Sequence, residues 1–166
     1  MKKLTLVLFA ALMLQLSMVS AAFAKDTLNN GETLSAGQQL TSSNGAYFLK
    51  MQTDGNLVLY TASGQSRWST STNKATIRIY DPFCGCYRVR IPDKLVLENG
   101  LLNIKIVAHT VWTADSAGWS FGRHPAGTNL FANVLVVQND GNVVLYNTSS
   151  GSWYPVWASD TGVGGP

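Results

Sequence analysis

Beyond its first two dozen residues, this chain has almost no helix-forming segments. Gly, Ser, Thr and Asn interrupt it every few residues, and no later apolar stretch is long enough to cross a bilayer as a helix. Charge is sparse: 13% of residues are Asp, Glu, Lys or Arg, with no concentrated basic patch of the kind that searches for nucleic acid. Cysteine is sparser still. Cys84 and Cys86 stand one residue apart, which matches no zinc motif and makes a poor disulfide framework. A small Cys84–Cys86 ring, an inter-chain bridge and free thiols all remain open. His109 and His124 lie in no nucleophile elbow or local triad signature, so no enzymatic activity is expected. Nor is there a metal-ligand cluster, and no cofactor is expected.

The opening residues read as a leader. Lys2 and Lys3 precede the apolar run Leu4–Val19, and Ala22-Phe23-Ala24 offers the small residues that a signal peptidase reads. The expected division is a signal peptide over 1–24 and one domain over 25–166, in a secreted protein that is extracellular or, in a bacterium, periplasmic. Without Lys2 and Lys3 the chain has ten basic and nine acidic side chains, so its formal net charge falls from +3 to +1.

What is present is alternation and repetition. Tyr47–Met51, Asn56–Tyr60, Ile77–Tyr80, Tyr87–Ile91, Leu102–Ile106 and Asn142–Tyr146 are short period-two runs rich in β-branched and aromatic residues, the signature of strands. Met51-Gln52-Thr53-Asp54-Gly55-Asn56-Leu57-Val58-Leu59-Tyr60 is echoed by Val137-Gln138-Asn139-Asp140-Gly141-Asn142-Val143-Val144-Leu145-Tyr146. Between them Val96–Lys105 is a worn copy. Each copy is followed by a tryptophan and a small polar tail: Trp68, then Trp112 after 44 positions, then Trp157 after 45. So regular a period implies three copies of one supersecondary unit. One unit cannot bury its own apolar face, but three around an axis can, with the tryptophans meeting near that axis.

The Asp-Gly or Asn-Gly step in each copy predicts a two-residue hairpin turn, with glycine accepting the positive φ. Gln52, Asp54, Asn56, Val58 and Tyr60 are spaced by two and so share one strand face, with neighbours about 6.5–7 Å apart. Gln138, Asp140, Asn142, Val144 and Tyr146 repeat the set. Amides that donate and accept, a carboxylate that only accepts, a phenol and an apolar wall together suit the hydroxyls and C–H patch of a pyranose.

Gln-x-Asp-x-Asn-x-Val-x-Tyr, twice, with the tryptophan tails, resembles the sugar-binding motif of the bulb-type (monocot, snowdrop-like) mannose-binding lectins. Gly31–Leu40 and Asn44–Tyr47 resemble that family's opening. The resemblance implies an all-β fold: a type II β-prism of three four-stranded sheets with pseudo-threefold symmetry. It also implies shallow, metal-free, non-catalytic carbohydrate sites. Residue by residue, it implies Asp54 and Asn56 at the axial 2-hydroxyl of mannose, Gln52 at the 3-hydroxyl, Tyr60 at the 4-hydroxyl and Val58 on the ring. Asp140, Asn142, Gln138, Tyr146 and Val144 take the same parts in the third copy. Partners would be mannose-type glycans or glycoproteins, in defence or cell recognition. Homodimers exchanging the tail Trp157–Pro166 are a further implication. A cysteine pairing seen in many members cannot form here, because Gly55 stands at the matching place.

In the middle copy Leu97, Asn99, Leu101, Asn103 and Lys105 read as replacements for Gln, Asp, Asn, Val and Tyr, and this face is expected to be dead for mannose. Arg88 and Arg90 share a strand face that Arg78 is expected to join across a hairpin, either as a solvated face or as a contact for sulfated glycans or anionic lipid. Asn147-Thr148-Ser149 is a glycosylation sequon that matters only in a eukaryotic host. Two rival readings are a lectin-like toxin or bacteriocin and a protein-binding scaffold of the same fold that has lost its sugar.

Overall fold

A computed structural model describes residues 25–163; the leader read over 1–24 lies outside the described residues, as do positions 164–166 of the tail. The period-two runs become strands in three four-stranded antiparallel sheets and one separate hairpin. The first sheet holds β3 (Gln39–Thr41), β4 (Tyr47–Met51), β5 (Leu57–Thr61) and β6 (Ser66–Ser69). The second holds β2 (Thr33–Ser35), β9 (Lys94–Glu98), β10 (Leu101–Ile106) and β11 (His109–Thr113). The third holds β1 (Thr27–Asn29), β12 (Val134–Val137), β13 (Val143–Asn147) and β14 (Tyr154–Ala158). Hairpin β7 (Ile77–Asp81) and β8 (Cys86–Arg90) stands apart, and a short helix, α1 (Ser116–Ser120), follows the second sheet. This is the expected all-β prism.

Alternate residues point inward. Leu49, Leu59, Leu95, Ile104, Leu135 and Leu145 are fully buried in one apolar cluster. Trp68, Trp112 and Trp157 meet edge to face, with centroids 5.9–6.1 Å apart and interplanar angles of 64–79°. Such pairs add about 0.5–1.5 kcal/mol beyond the area they bury. Three rings in mutual contact tie the sheets together along the pseudo-threefold axis.

The outer strand of every sheet comes from one stretch near the N-terminus. β1 pairs with β12, β2 with β9 and β3 with β4. Leu28, Leu34 and Leu40, six residues apart, each enter the core from one of these strands. Two tight corners join them, and each is braced alike: Asn29 N donates to Glu32 Oε2 at 2.6 Å, and Ser35 N donates to Gln38 Oε1 at 2.8 Å. A six-residue rhythm thus carries one strap past all three sheets. At the other end, β14 pairs with β13 and closes the third sheet.

Candidate functional site

Two faces of the prism carry the same constellation, and both are set by their turns. Gly55 N donates to Gln52 O (3.1 Å) and Gln52 N to Asn56 O (2.8 Å); Gly141, Gln138 and Asn142 repeat this at 3.1 and 2.8 Å. The loop is therefore three residues long, with glycine at φ +90° or +85° as its last member, rather than the two-residue turn expected from Asp-Gly. The extra residue matters because it brings Asp54 and Asp140 into the turn, where Oδ1 accepts the N–H of Asn56 or Asn142 at 2.9 Å.

Glycine is required here twice over. A Cβ on Gly55 would stand 2.6 Å from Pro92 Cδ, and one on Gly141 would stand 2.6 Å from Tyr47 Cε1. In the middle copy, a Cβ on Gly100 would stand 2.6 Å from Phe131 Cδ2. At each corner a ring from β4 or from the loop leading into β9 or β12 seats on the turn glycine.

The hydrogen bonds within each face decide which groups are left to meet a ligand. Gln52 Nε2 donates to Tyr60 OH at 2.7 Å, and Gln138 Nε2 to Tyr146 OH at 2.6 Å. The phenol oxygen is thereby an acceptor internally, and its own proton is available outward. Asn56 Oδ1 accepts from Thr70 Oγ1 and Thr72 N, both at 3.2 Å; Asn142 Oδ1 accepts from Ser159 Oγ (3.0 Å) and Thr161 N (3.3 Å). Thr72 Oγ1 and Thr161 Oγ1 each close the turn by donating to Gly55 O or Gly141 O at 2.7 Å. The polar tails after the tryptophans therefore fix the asparagines and leave their NH₂ groups as donors. Each face offers two acceptors, Asp Oδ2 and Gln Oε1, and two donors, Asn Nδ2 and Tyr OH. Adjacent sugar hydroxyls, which both donate and accept, need such a mixed set.

The valines sit deeper than an apolar wall would: Val58 is 4% exposed and Val144 3%, so each gives a floor. The first face opens into a depression of about 330 Å³ lined by Gln52, Asn56, Val58 and Tyr60, with Ser66, Arg67 and Ser69 of β6 on the far side. Sequence spacing could not bring in the β6 residues, because they reach the site across a strand pair. The third face is furnished differently. Trp153 stands edge-on to Tyr146 (5.4 Å, 71°); Val163 N donates to the main-chain carbonyl of Asp140 at 2.8 Å, and a Cβ on Gly162 would stand 2.9 Å from Asp140 Oδ2, so the tail runs beside the carboxylate. Burial pushes the Tyr146 phenol above its ordinary pKa; the Gln138 hydrogen bond opposes this and the Asp140 charge adds to it.

The middle face corrects the sequence register. Leu97 pairs with Leu102 and Glu98 with Leu101 across a two-residue Asn99-Gly100 turn, both at positive φ. One residue fewer in the turn makes Leu97 the equivalent of Met51 and Val137 in the core, and puts Glu98, not Leu97, in the place of Gln52. Lys105 stands where Tyr60 stands, and Glu98 and Lys105 form an ion pair where the other faces have Gln–Tyr. Asn103, buried in the place of Val58, accepts from Thr113 Oγ1 at 2.7 Å, and Leu101 is exposed in the place of Asn56. With the shorter turn, no carboxylate is placed as Asp54 is.

Other tempting residues are accounted for by packing. His124 Nε2 contacts Pro155 O at 2.9 Å and Nδ1 contacts Tyr154 OH at 2.8 Å, so both ring nitrogens are engaged. Asn147 of the sequon is buried, donating to Asn129 O at 3.2 Å. Cys84 and Cys86 are bridged to each other. Arg78 does not join Arg88 and Arg90: it pairs across from Val89, on the opposite face, with its guanidinium 5.1 Å from the Tyr87 ring centroid.

No protein-family model matches the chain, and no curated protein matches it. Solved structures do. A monomeric monocot mannose-binding lectin from Gastrodia elata is 28% identical, with a TM-score of 0.58 over 84% of this chain and 100% of that one. The mannose-specific agglutinin of snowdrop (Galanthus nivalis), complexed with methyl-α-D-mannoside, is 27% identical, with a TM-score of 0.51 over 84% of this chain and 100% of that one. A Polygonatum cyrtonema lectin complexed with monomannoside is 26% identical, with a TM-score of 0.50 over 82% and 97%. The chain has the three-sheeted β-prism fold of the bulb-type lectins.

Proposed function

We propose that this protein is an exported, non-catalytic lectin of the bulb type that binds mannose or mannose-terminated glycans at two faces, Gln52–Tyr60 and Gln138–Tyr146. The observation that carries the reading is the duplicated donor–acceptor pattern. Two turns nearly ninety residues apart hold Gln, Asp, Asn, Val and Tyr with matching internal hydrogen bonds: Gln to Tyr at 2.7 and 2.6 Å, and the Asn N–H to Asp at 2.9 Å in both. A turn needed only for folding does not require that Gln–Tyr pair, since the middle copy folds with Glu and Lys in its place.

In this reading Asp54 and Asn56 engage the axial 2-hydroxyl, Gln52 the 3-hydroxyl and Tyr60 the 4-hydroxyl, over the Val58 floor. Asp140, Asn142, Gln138, Tyr146 and Val144 act likewise. The middle face does not bind mannose. Each site is open and makes few bonds, so a single mannose binds weakly, with a Kd of about 1 mM, corresponding to about 4 kcal/mol. Two faces on one rigid body then raise affinity for branched glycans through effective concentration, as the recognition of a glycan-coated cell in defence requires. The test is a glycan array on the purified protein beside Asp54→Ala/Asp140→Ala. Binding to mannose-terminated glycans that is lost in the variant supports both sites. A folded native protein that binds no glycan refutes them.

A further inference from the structure

Hairpin β7–β8 takes no part in either sugar face, and its exposed side chains are built for contact. Ile77, Ile79 and Asp81 are half-buried; Arg78, Tyr80, Tyr87 and Val89 face solvent on one side of the ribbon, and Arg88 and Arg90 are exposed along the other. Phe83 at the tip is 100% exposed. The tip is held in shape by the Cys84–Cys86 bridge and by Asp81, whose carboxylate accepts Phe83 N at 3.0 Å and Arg88 Nε at 2.5 Å. Asp81 is the one acidic residue of the segment 77–91 and it is neutralised by Arg88.

Chemistry changes in order along the hairpin. The tip is apolar, with Pro82, Phe83 and the bridge. Tyr80 and Tyr87 form the next rung, with centroids 5.5 Å apart. Arg88, Arg78 and Arg90 lie two, three and four rungs behind the Asp81–Cys86 rung, or about 7, 10 and 13 Å at the usual rise per residue. Charge follows the same division. The segment 77–91 has three arginines against Asp81, a net +2, while the rest of 25–166 has seven basic and eight acidic side chains, a net −1.

We infer that this hairpin docks on anionic phospholipid bilayers, with Phe83 entering the interface and Arg78, Arg88 and Arg90 meeting the lipid phosphates. The sequence apolar, then phenolic, then cationic matches a bilayer read from the acyl boundary outward, where tyrosines sit at the headgroup level. The arginines alone would equally suit a sulfated polymer, but such a polymer has no use for a fully exposed phenylalanine held ahead of them. The contact is peripheral: no helix among the described residues is long and apolar enough to cross a membrane. It is also independent of sugar binding, since neither face shares a residue with the hairpin.

The test is co-sedimentation of the purified protein with sugar-free vesicles of phosphatidylcholine, alone or mixed with phosphatidylserine. Binding is expected only to the mixed vesicles, undiminished by free mannoside and weakened by salt. Arg78→Gln/Arg90→Gln lowers partitioning about thirtyfold, and Phe83→Ala lowers it about tenfold. Both variants keep the near-ultraviolet circular dichroism of the tryptophan cluster and the glycan binding of the parent. Three results overturn the inference. The first is no binding to anionic vesicles at low salt. The second is binding that is insensitive to Phe83→Ala and abolished by soluble heparin, which assigns the arginines to a sulfated polymer. The third is concentration-dependent self-association without lipid that Phe83→Ala removes, which makes the tip a contact between copies of this chain.

Discussion

Replacing Gly141 by alanine tests the proposed corner design most directly. Two separate penalties meet there. At φ +85° an alanine pays for a left-handed conformation, about 1–2 kcal/mol. Its methyl would also stand 2.6, 2.7 and 3.0 Å from three atoms of the Tyr47 ring. Tyr47 is half-buried and packs against the core, so it cannot simply swing away, and overpacking of this kind costs about 1–3 kcal/mol. The expected total is about 2–5 kcal/mol. Gly64 is the internal control: its φ is +84°, yet nothing lies within 4 Å of its Cβ, so Gly64→Ala should cost the backbone penalty alone. Denaturant titration followed by the near-ultraviolet signal of the tryptophan cluster gives both values, with equal slopes expected in the two variants. In a double-mutant cycle, Tyr47→Ala should relieve most of the extra cost of Gly141→Ala. If Gly141→Ala is no more destabilising than Gly64→Ala, the ring-on-glycine corner is not a packing constraint, and the reasoning fails at all three corners.

Three further outcomes follow from the same geometry. Tyr60→Phe or Tyr146→Phe removes one outward donor and the partner of Gln52 or Gln138, and should weaken mannose binding about fivefold per face by calorimetry, at about 1 kcal/mol; unchanged affinity would remove the phenols from the site. Grafting Glu98→Gln, Leu101→Asn, Asn103→Val and Lys105→Tyr onto the middle face, in an Asp54→Ala/Asp140→Ala background, should not create mannose binding. Inserting an aspartate between Asn99 and Gly100 as well should be needed, and binding without the insertion would refute the role given to the turn carboxylate. Glu32 has its pKa lowered, chiefly by the Lys25 hydrogen bond and then by the Asn29 N–H. Its contribution is therefore complete above the ordinary carboxylate value of 4.5 and lost as pH falls through the lower folded value, while solvent screening keeps it below about 1 kcal/mol. Glu32→Gln should flatten that part of the stability–pH curve, and an unchanged curve would contradict this.

The parts legible in the sequence were those that recur with a period. Equal spacing of Trp68, Trp112 and Trp157 predicts three rings at one axis, and the structure has them in contact. The two intact motifs could be read because every second residue is chemically distinctive. The middle copy hides its register because its turn is one residue shorter and Leu97, Leu101 and Leu102 flank it, so the pattern looks unbroken when Leu97 is set against Gln52. The strap β1–β3 went unnoticed as strands because each has only three residues, too few for alternation to show. Arg78 was misplaced because strand pairing, not spacing along one strand, decides which residues share a hairpin face. The loop length at Asp54-Gly55 escaped for a related reason: glycine at positive φ suits both two- and three-residue turns.

The strap also governs when the molecule can finish folding. Thr27 pairs with Val136, more than a hundred positions later, and Thr33 with Val96. As synthesis proceeds from the N-terminus, Leu28 and Leu34 emerge first and have nothing to cover until the sheets they seal have been made. The nascent chain can form local hairpins such as β4–β5, but it cannot close its prism before β12 has left the ribosome. Slow, late closure is what such distant pairing predicts. It leaves the chain threadable through a narrow channel until the moment its last sheet exists.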